Sequence, residues 1–267
     1  MTPMQVVEIY PIQKHQVDHL SIPDLIARPV EKLRLQHRAE KYQFKEDKGG
    51  VAYIRKHVRP GDTVFDIGAH KAGYLYFFLE RLGASGKIYA FEPQSILYRY
   101  LSKLQHLFNW TNVTIEPAAV SDKTGAALLC VPFNNGRHSS PCATIIESHM
   151  SFDFQLKEEV KTIRLDEYCS HLRIVPDLIK VDVEGNELSV FKGAEQTLRK
   201  YRPKLLFESE ARFVGEEAVM TTFDFLKQIG YKGHFIMNDA IHPISDFDIS
   251  YHQDTSSGTY CNNFIFE

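Results

Sequence analysis

The sequence contains no apolar run approaching the roughly 18 residues that a membrane-spanning helix requires, and its first 21 residues are polar, without the apolar core of a signal peptide. Neither a membrane span nor secretion by a cleaved leader is expected. Cysteine is scarce: Cys130, Cys142, Cys169 and Cys261 stand apart, none in a C-x-x-C pair, so no zinc-site or disulfide-framework signature exists. Reduced thiols in a cytoplasm are the expectation. Glycine (15) and proline (12) are too few in 267 residues for a collagen-like or low-complexity chain, and neither a Gly/Ser/Pro linker nor an internal repeat divides it. An excess of one charge is missing too. With 31 basic and 34 acidic residues the net charge is −3, which gives no general attraction to nucleic acid or an anionic membrane.

What is present is apolar content of 43%, enough for one large core, and a pattern that changes along the chain. Residues 1–48 read as an N-terminal helical extension, an extended start followed by a polar helix over 23–44; residues 49–267 read as the main domain. Within the extension Arg34, Arg38, Lys41 and Lys45 recur at helical spacing. Such a stripe is ordinarily a solvated face, although it also suits an anionic acceptor. After Gly49-Gly50 a short helix carries Val51, Ile54 and Val58. From Thr63 onward, short apolar runs alternate with amphipathic stretches of helix length. The strand candidates are 63–67, 87–91, 113–117, 178–183 and 204–207. Apolar positions from Ile96 to Phe108 and from Leu188 to Leu198 fall on single helical stripes. A βαβ series of these lengths predicts a doubly wound α/β sheet, with its ligand site at the carboxyl ends of the strands. The segment 131–161, with Asn134, Arg137, His138, Ser139 and Ser140, predicts a long polar loop that closes over a hydroxylated substrate.

The first strand ends in Asp66-Ile67-Gly68-Ala69-His70-Lys71-Ala72-Gly73, an acid followed by small residues that open a helix. Small residues let a ligand approach the backbone amides of that helix. The G-x-G-x-x-G fingerprint that seats a dinucleotide pyrophosphate is absent, and Asp66 would repel one. The acid suits a cationic ligand instead, such as one bearing an α-ammonium group. The second strand ends at Glu92-Pro93, where doubly wound folds place an acid for ribose hydroxyls. Glu92 alone suits a helix start equally well; beside Asp66 and the loop, the ribose assignment leads.

These residues, together with Ala118-Ala119-Val120-Ser121-Asp122, Ile163 to Tyr168, Leu178-Ile179-Lys180-Val181-Asp182-Val183-Glu184-Gly185, Glu187 and Lys192-Gly193-Ala194, resemble the successive blocks of the FkbM-type S-adenosylmethionine-dependent methyltransferases. The resemblance runs in order from about Val51 to Phe266. It implies a class I methyltransferase fold, Rossmann-like, with a seven-stranded sheet whose last strand, 262–266, is antiparallel. It also implies roles by position: Gly68, Ala69, His70 and Gly73 line the methionine part, Glu92 and Pro93 the ribose, and Ala119, Val120 and Ser121 the adenine. The family usually has Asn and Gly where this chain has His70 and Ala72. Ala72 keeps the close approach, and His70 can lean toward cofactor or acceptor.

Asp182 and Glu184 follow the fourth strand, and period-two alternation puts both on one side of the departing chain. An acid there can orient an acceptor hydroxyl or take its proton, which makes Asp182 the first candidate, beside the cofactor, and Glu184 the second. The competing reading is a cap and a first-turn acid of the next helix. Glu208 and Glu210 stand at the same sheet edge, where convergence with Asp182 would suit Mg²⁺; no resident metal is the leading expectation. His138 and His234 are further base candidates, His138 favoured by its loop. The expected activity is O-methylation of a hydroxyl on a sugar, a glycan or a small metabolite. A non-catalytic binding module on the same fold is the alternative, and an NAD(P)-dependent dehydrogenase is disfavoured by the missing glycine fingerprint.

Overall fold

The computed structural model describes residues 21–134, 137–138, 143–145, 154–256 and 260–267. The first helix, α1 (Ile22–Lys41), starts where Ser21 and Asp24 form a reciprocal capping box, the Ser21 amide donating to Asp24 Oδ2 at 3.1 Å. Its Leu35 and Ala39 are buried in one core cluster with Val64, Leu75 and Phe78, so the extension packs into the main body. The α-helix ends three residues before the expected 44. Tyr42–Glu46 is a π-helical turn, with the Asp47 amide bonded to the Tyr42 carbonyl five residues back. Asp47 then caps α2 (Lys48–His57) by accepting the Gly50 amide at 2.8 Å, which places Gly49-Gly50 inside that helix's first turn and not before it.

The main domain runs β1 (Thr63–Ile67), α3 (Gly73–Leu82), β2 (Lys87–Phe91), α4 (Ser95–Phe108), β3 (Val113–Glu116), β4 (Ala118–Val120), β5 (Gly125–Asn134), β6 (Arg137–His138), β7 (Phe154–Ile163) and α5 (Leu165–Leu172). It continues with β8 (Leu178–Val181), α6 (Glu187–Gly193), α7 (Glu195–Tyr201), β9 (Lys204–Glu208), α8 (Ala211–Val214) and α9 (Glu216–Gln228). The last elements are β10 (Gly233–Met237), β11 (Ala240–Pro243), α10 (Ile249–His252) and β12 (Asn263–Phe266). The main sheet has the order β11-β10-β12-β9-β8-β1-β2-β3. Strands β3, β2, β1, β8 and β9 are parallel, and β12 enters antiparallel between β9 and β10. Alternation along each strand sorts the core: Phe65, Ile67, Ile179, Val181 and Phe207 pack on one face of the sheet, and Val64, Ile88, Leu178 and Leu206 on the other.

The doubly wound α/β architecture and its antiparallel last strand are as expected; the strand count is not. Eight strands replace seven because Asn238 (φ 52°) and Asp239 (φ 60°) form a two-residue hairpin turn that folds β11 back on β10. Left-handed geometry at both central residues is what a tight hairpin with the right twist needs, and Asn and Asp tolerate it. The expected polar loop over 131–161 is also corrected at both ends. Strands β5 and β7 pair antiparallel within a second sheet of order β4-β7-β5-β6. Residues 135–136, 139–142 and 146–153 of that segment, Ser139, Ser140 and Cys142 among them, lie outside the described residues. The stripe from Leu188 to Leu198 is split at Ala194 into α6 and α7. No helix among the described residues is long and apolar enough to cross a membrane.

Candidate functional site

A cavity of about 950 Å³ opens at the carboxyl ends of β1, β2, β8 and β9. On one side it is floored by the loop from Gly68 to Gly73. Gly68 has φ 82°, and a Cβ there would sit 1.8 Å from the carbonyl oxygen of Asp182, so backbone conformation and space both demand glycine. His70 (φ 47°) and Ala72 (φ 65°) are left-handed as well. The Asn and Gly that the resemblance leads one to expect at these two positions are the residues that adopt this conformation most readily. The His70 side chain lines the cavity with Nε2 sealed and unpartnered, and burial pushes its pKa down to about 4, so the ring is neutral at pH 7.

Glu92, buried at the tip of β2, receives two backbone amides: His70 donates to Oε2 at 2.8 Å and Gln94 to Oε1 at 2.9 Å. The first ties the glycine loop to β2 and the second starts α4. Glu92 therefore braces the loop and the helix entry together, with the remaining lone pairs of both oxygens left for a diol. Burial pushes its pKa up to about 7, partly offset by those amides. Pro93, Ala69, Gly73, Ala119 and Val120 also line the cavity. Ser121 does not; its carbonyl oxygen lies where a Cβ on Gly193 would be 2.1 Å away, and it fixes the approach of α6.

Asp66 is corrected in place. It is fully buried, does not line the cavity, and faces Lys180, its register partner on β8, with Oδ1 3.6 Å from Nζ. The cation beside Asp66 is thus one of the chain's own. Lys180 Nζ also reaches Asp182 Oδ2 and the Gly68 carbonyl, each at 3.3 Å, and lies 4.8 Å from the Tyr74 ring centre. Burial works against its charge, but Asp182 and Asp66 outweigh burial and hold its pKa above the ordinary lysine value. Sequence reasoning gave Lys180 no role. The signal was there: a lysine inside the buried strand Leu178-Ile179-Lys180-Val181 must be paired.

The opposite side carries the other acids. Strand β8 ends at Val181, so Asp182 and Glu184 are not set by pleat alternation; Glu184 is turned by its own left-handed backbone, φ 52°. Both line the cavity. Neither caps α6, whose N-cap is Asn186 and whose first-turn acid is Glu187, accepting the Gly185 amide at 2.9 Å. Burial, then the charges of Asp182 and Glu210, push the Glu184 pKa up to about 9. Glu208 is raised well above its ordinary value for the same reasons, and the Asn262 amide donates to its Oε1. Glu210 is committed to Arg212, 2.6 Å from Nε, and accepts the Tyr260 hydroxyl at 2.7 Å. No group of three or more His, Cys, Asp or Glu among the described residues has the arrangement of a metal site, and Mg²⁺ finds no support at Asp182, Glu208 and Glu210. His234 lies on β10 and does not line the cavity. His138 is paired with Phe133 on β6, and its side chain lies outside the described residues.

The cavity is completed by residues that precede the nucleotide fold. Arg34, His37 and Arg38 of α1, together with Tyr42 and Asp47, line it. Arg38 donates to the Lys71 carbonyl, and a Cβ on Gly73 would meet the Tyr42 ring at 2.8 Å. The basic stripe is thereby split between a cavity rim and the outer surface.

The sequence model of the methyltransferase FkbM domain matches residues 66–233. No curated protein matches the sequence. Among solved structures the chain is similar to methyltransferase FkbM from Methylobacillus flagellatus KT, at 14% identity and a TM-score of 0.51 over 92% of this chain and 58% of that one. It therefore spans less than two thirds of that protein's length. Fainter likenesses join it to the O-methyltransferase TomG of Streptomyces achromogenes, in complex with SAM (10% identity, 87% of each chain, TM-score 0.47). Another is to Aeropyrum pernix fibrillarin with natively bound S-adenosyl-L-methionine (15% identity, 82% of this chain and 73% of that one, TM-score 0.44).

Proposed function

The chain belongs to the methyltransferase FkbM family, and on that premise we propose that it binds S-adenosylmethionine and methylates a hydroxyl of a sugar, a glycan or a small metabolite. The observation that carries the reading is one cavity with two unlike ends: Glu92 beside a close-approach glycine loop, and Asp182, Glu184 and Glu208 across from it. Its volume of about 950 Å³ is at the upper end of ordinary ligand pockets, enough for a nucleoside cofactor with an acceptor alongside.

When bound, S-adenosylmethionine supplies an electrophilic methyl group on a sulfonium. Glu92 then accepts the ribose hydroxyls while its amide bonds hold the loop in register. Ala69 and Gly73 leave room for the methionine chain, and Ala119 and Val120 flank the adenine. Asp182, ion-paired with Lys180, orients the acceptor oxygen and takes its proton late in the transfer. Glu184, neutral at pH 7, donates a hydrogen bond to a hydroxylated acceptor, as Asn262 can. The buried thiols of Cys169 and Cys261 support placing the protein in a reducing cytoplasm.

Transfer of radiolabelled methyl from S-adenosylmethionine to a panel of sugars, glycans and phenolic or polyketide alcohols tests the reading. Label on a hydroxyl oxygen is the expected result. Cofactor binding with no transfer to any acceptor would favour a binding module instead.

A further inference from the structure

The acid at the tip of β1 does not line this cavity. Asp66 is sealed beneath the loop with Lys180 at 3.6 Å, and Asp182 holds the same lysine at 3.3 Å. Asp47 differs from both. It precedes the segment that matches the family, it lines the cavity, and its two oxygens have separate fates. Oδ1 accepts the Gly50 amide at 2.8 Å and caps α2. Oδ2 is sealed from solvent and has no hydrogen-bond partner. A carboxylate can only accept, and a buried acceptor left unpaired is costly, so this oxygen is built for a donor that arrives from outside the chain.

The local backbone serves this placement. The π-helical turn Tyr42–Glu46 inserts one extra residue per turn ahead of Asp47, and such insertions concentrate at functional sites. Gly50 is held to glycine because a Cβ there would lie 2.0 Å from Asp47 Oδ2 and 2.8 Å from the Tyr74 hydroxyl. Tyr74 is the residue whose ring covers Lys180, and Asp47 feels the charges of Lys180 and Asp182, so it stands at their end of the cavity.

We infer that Asp47 receives the α-ammonium group of S-adenosylmethionine. This rests on the cofactor assignment above, and it makes the N-terminal extension part of the cofactor site. A ligand ammonium brings three N–H donors and a positive charge, which meets both needs of the unpaired oxygen.

The test is calorimetry on the full chain with two ligands, S-adenosylhomocysteine and 5′-methylthioadenosine, which shares the nucleoside and thioether but lacks the amino-acid end. Asp47→Asn keeps a capping oxygen for Gly50 and removes the charge; Asp47→Ser repeats the experiment with a second good cap. The expected result is a rise of about 10- to 100-fold in the Kd for S-adenosylhomocysteine with that for 5′-methylthioadenosine unchanged within twofold. Unchanged S-adenosylhomocysteine affinity in both variants, or equal losses for both ligands, overturns the assignment and leaves Asp47 a helix cap. Equal affinity of the two ligands for the wild-type chain overturns it as well while leaving the cofactor reading in place. A wild-type chain that binds neither ligand sinks the cofactor reading itself.

Discussion

The two sides of the cavity treat their acids in opposite ways. On the β1–β2 side the acids have compensating partners: Glu92 lines the cavity and accepts the amides of His70 and Gln94, and Asp66, sealed beneath it, is ion-paired with Lys180 at 3.6 Å. On the wall beyond β8, Glu184 and Glu208 face Asp182 and Glu210, and the cation on that side, Arg212, is committed to Glu210. The first arrangement fixes charge and geometry before a ligand arrives. The second holds the Glu184 carboxyl neutral at pH 7, and so able to donate, and pushes Glu208 in the same direction. Asp182 belongs to both walls, through Lys180 on one side and through repulsion of Glu184 and Glu208 on the other.

The hardest blow to this comparison falls on Asp182. Asp182→Asn keeps the shape and a hydrogen bond but loses the basicity, and should lower kcat by about 10²–10⁴ with S-adenosylhomocysteine affinity within a few-fold. Single-turnover transfer together with calorimetry measures both. A variant within a few-fold of wild type in rate would reduce Asp182 to a partner for Lys180, with positioning alone carrying the reaction. Next comes Glu92. Glu92→Ala should weaken S-adenosylhomocysteine by about 1.5–3 kcal/mol, since charge-assisted bonds to the ribose are lost along with the brace on His70. The carboxyl must be ionised to accept two hydroxyls, and its pKa in the free protein is raised to about 7. Binding should therefore be flat above pH 8 and weaken by up to tenfold per unit below 7. Glu187, also near 7, and Asp47, near 6, titrate in the same range, so the deciding observation is loss of slope in Glu92→Gln.

The order of strands and helices was legible because the period of the apolar residues changes from element to element, and the tips of β1 and β2 were legible because acids and glycines there follow a known spacing. The sequence pointed to an acid for a cation at the end of β1; across the sheet, register instead gives Asp66 to Lys180, a partner 114 positions away. Pairing of that kind cannot be read from one strand. The hairpin at Asn238-Asp239 carried a readable turn signal without the glycine that usually advertises it. The strands β5 and β7 hid inside a segment whose middle is polar. The contribution of Tyr42 and Asp47 to the cavity was illegible for another reason: a π-helical turn shifts every later side chain by about 100° from helical expectation, so the stripe of α1 does not predict it.

A smaller effect sharpens the contrast through stability. Glu184 has a folded-state pKa near 9 against an ordinary value of 4.5, so the folded chain holds a proton that the unfolded chain has released between those values. Stability should fall as pH rises from about 5 to 9, the sign opposite to that of a salt-bridged carboxylate. Glu184→Gln removes this titration, and its stability relative to wild type should improve with pH by on the order of 1–2 kcal/mol across that window, read as the difference between urea midpoints. Parallel pH profiles for the two proteins would mean that water reaches the second wall and that its acids are ordinary.

The smallest effect is expected where the chain departs from its family in the loop itself. Ala72 caps α3 with φ 65° and ψ 32°, a conformation that costs a side-chain-bearing residue about 1–2 kcal/mol and glycine almost nothing. Ala72→Gly would relieve that strain. It would also withdraw a methyl group that is buried in the cluster with Val64 and Leu75, worth about 0.8 kcal/mol, and give the unfolded chain about 0.5–1 kcal/mol of extra freedom. The contributions cancel, so the Tm should move by no more than about 2–3 °C. S-adenosylhomocysteine affinity should stay within twofold, because the loop amides already point where glycine would put them. A gain of more than about 1.5 kcal/mol would show that the methyl packs poorly and that the loop is strained on the ligand's behalf. A loss of that size would show that packing against the core, and not the loop's approach to a ligand, fixes alanine at this position.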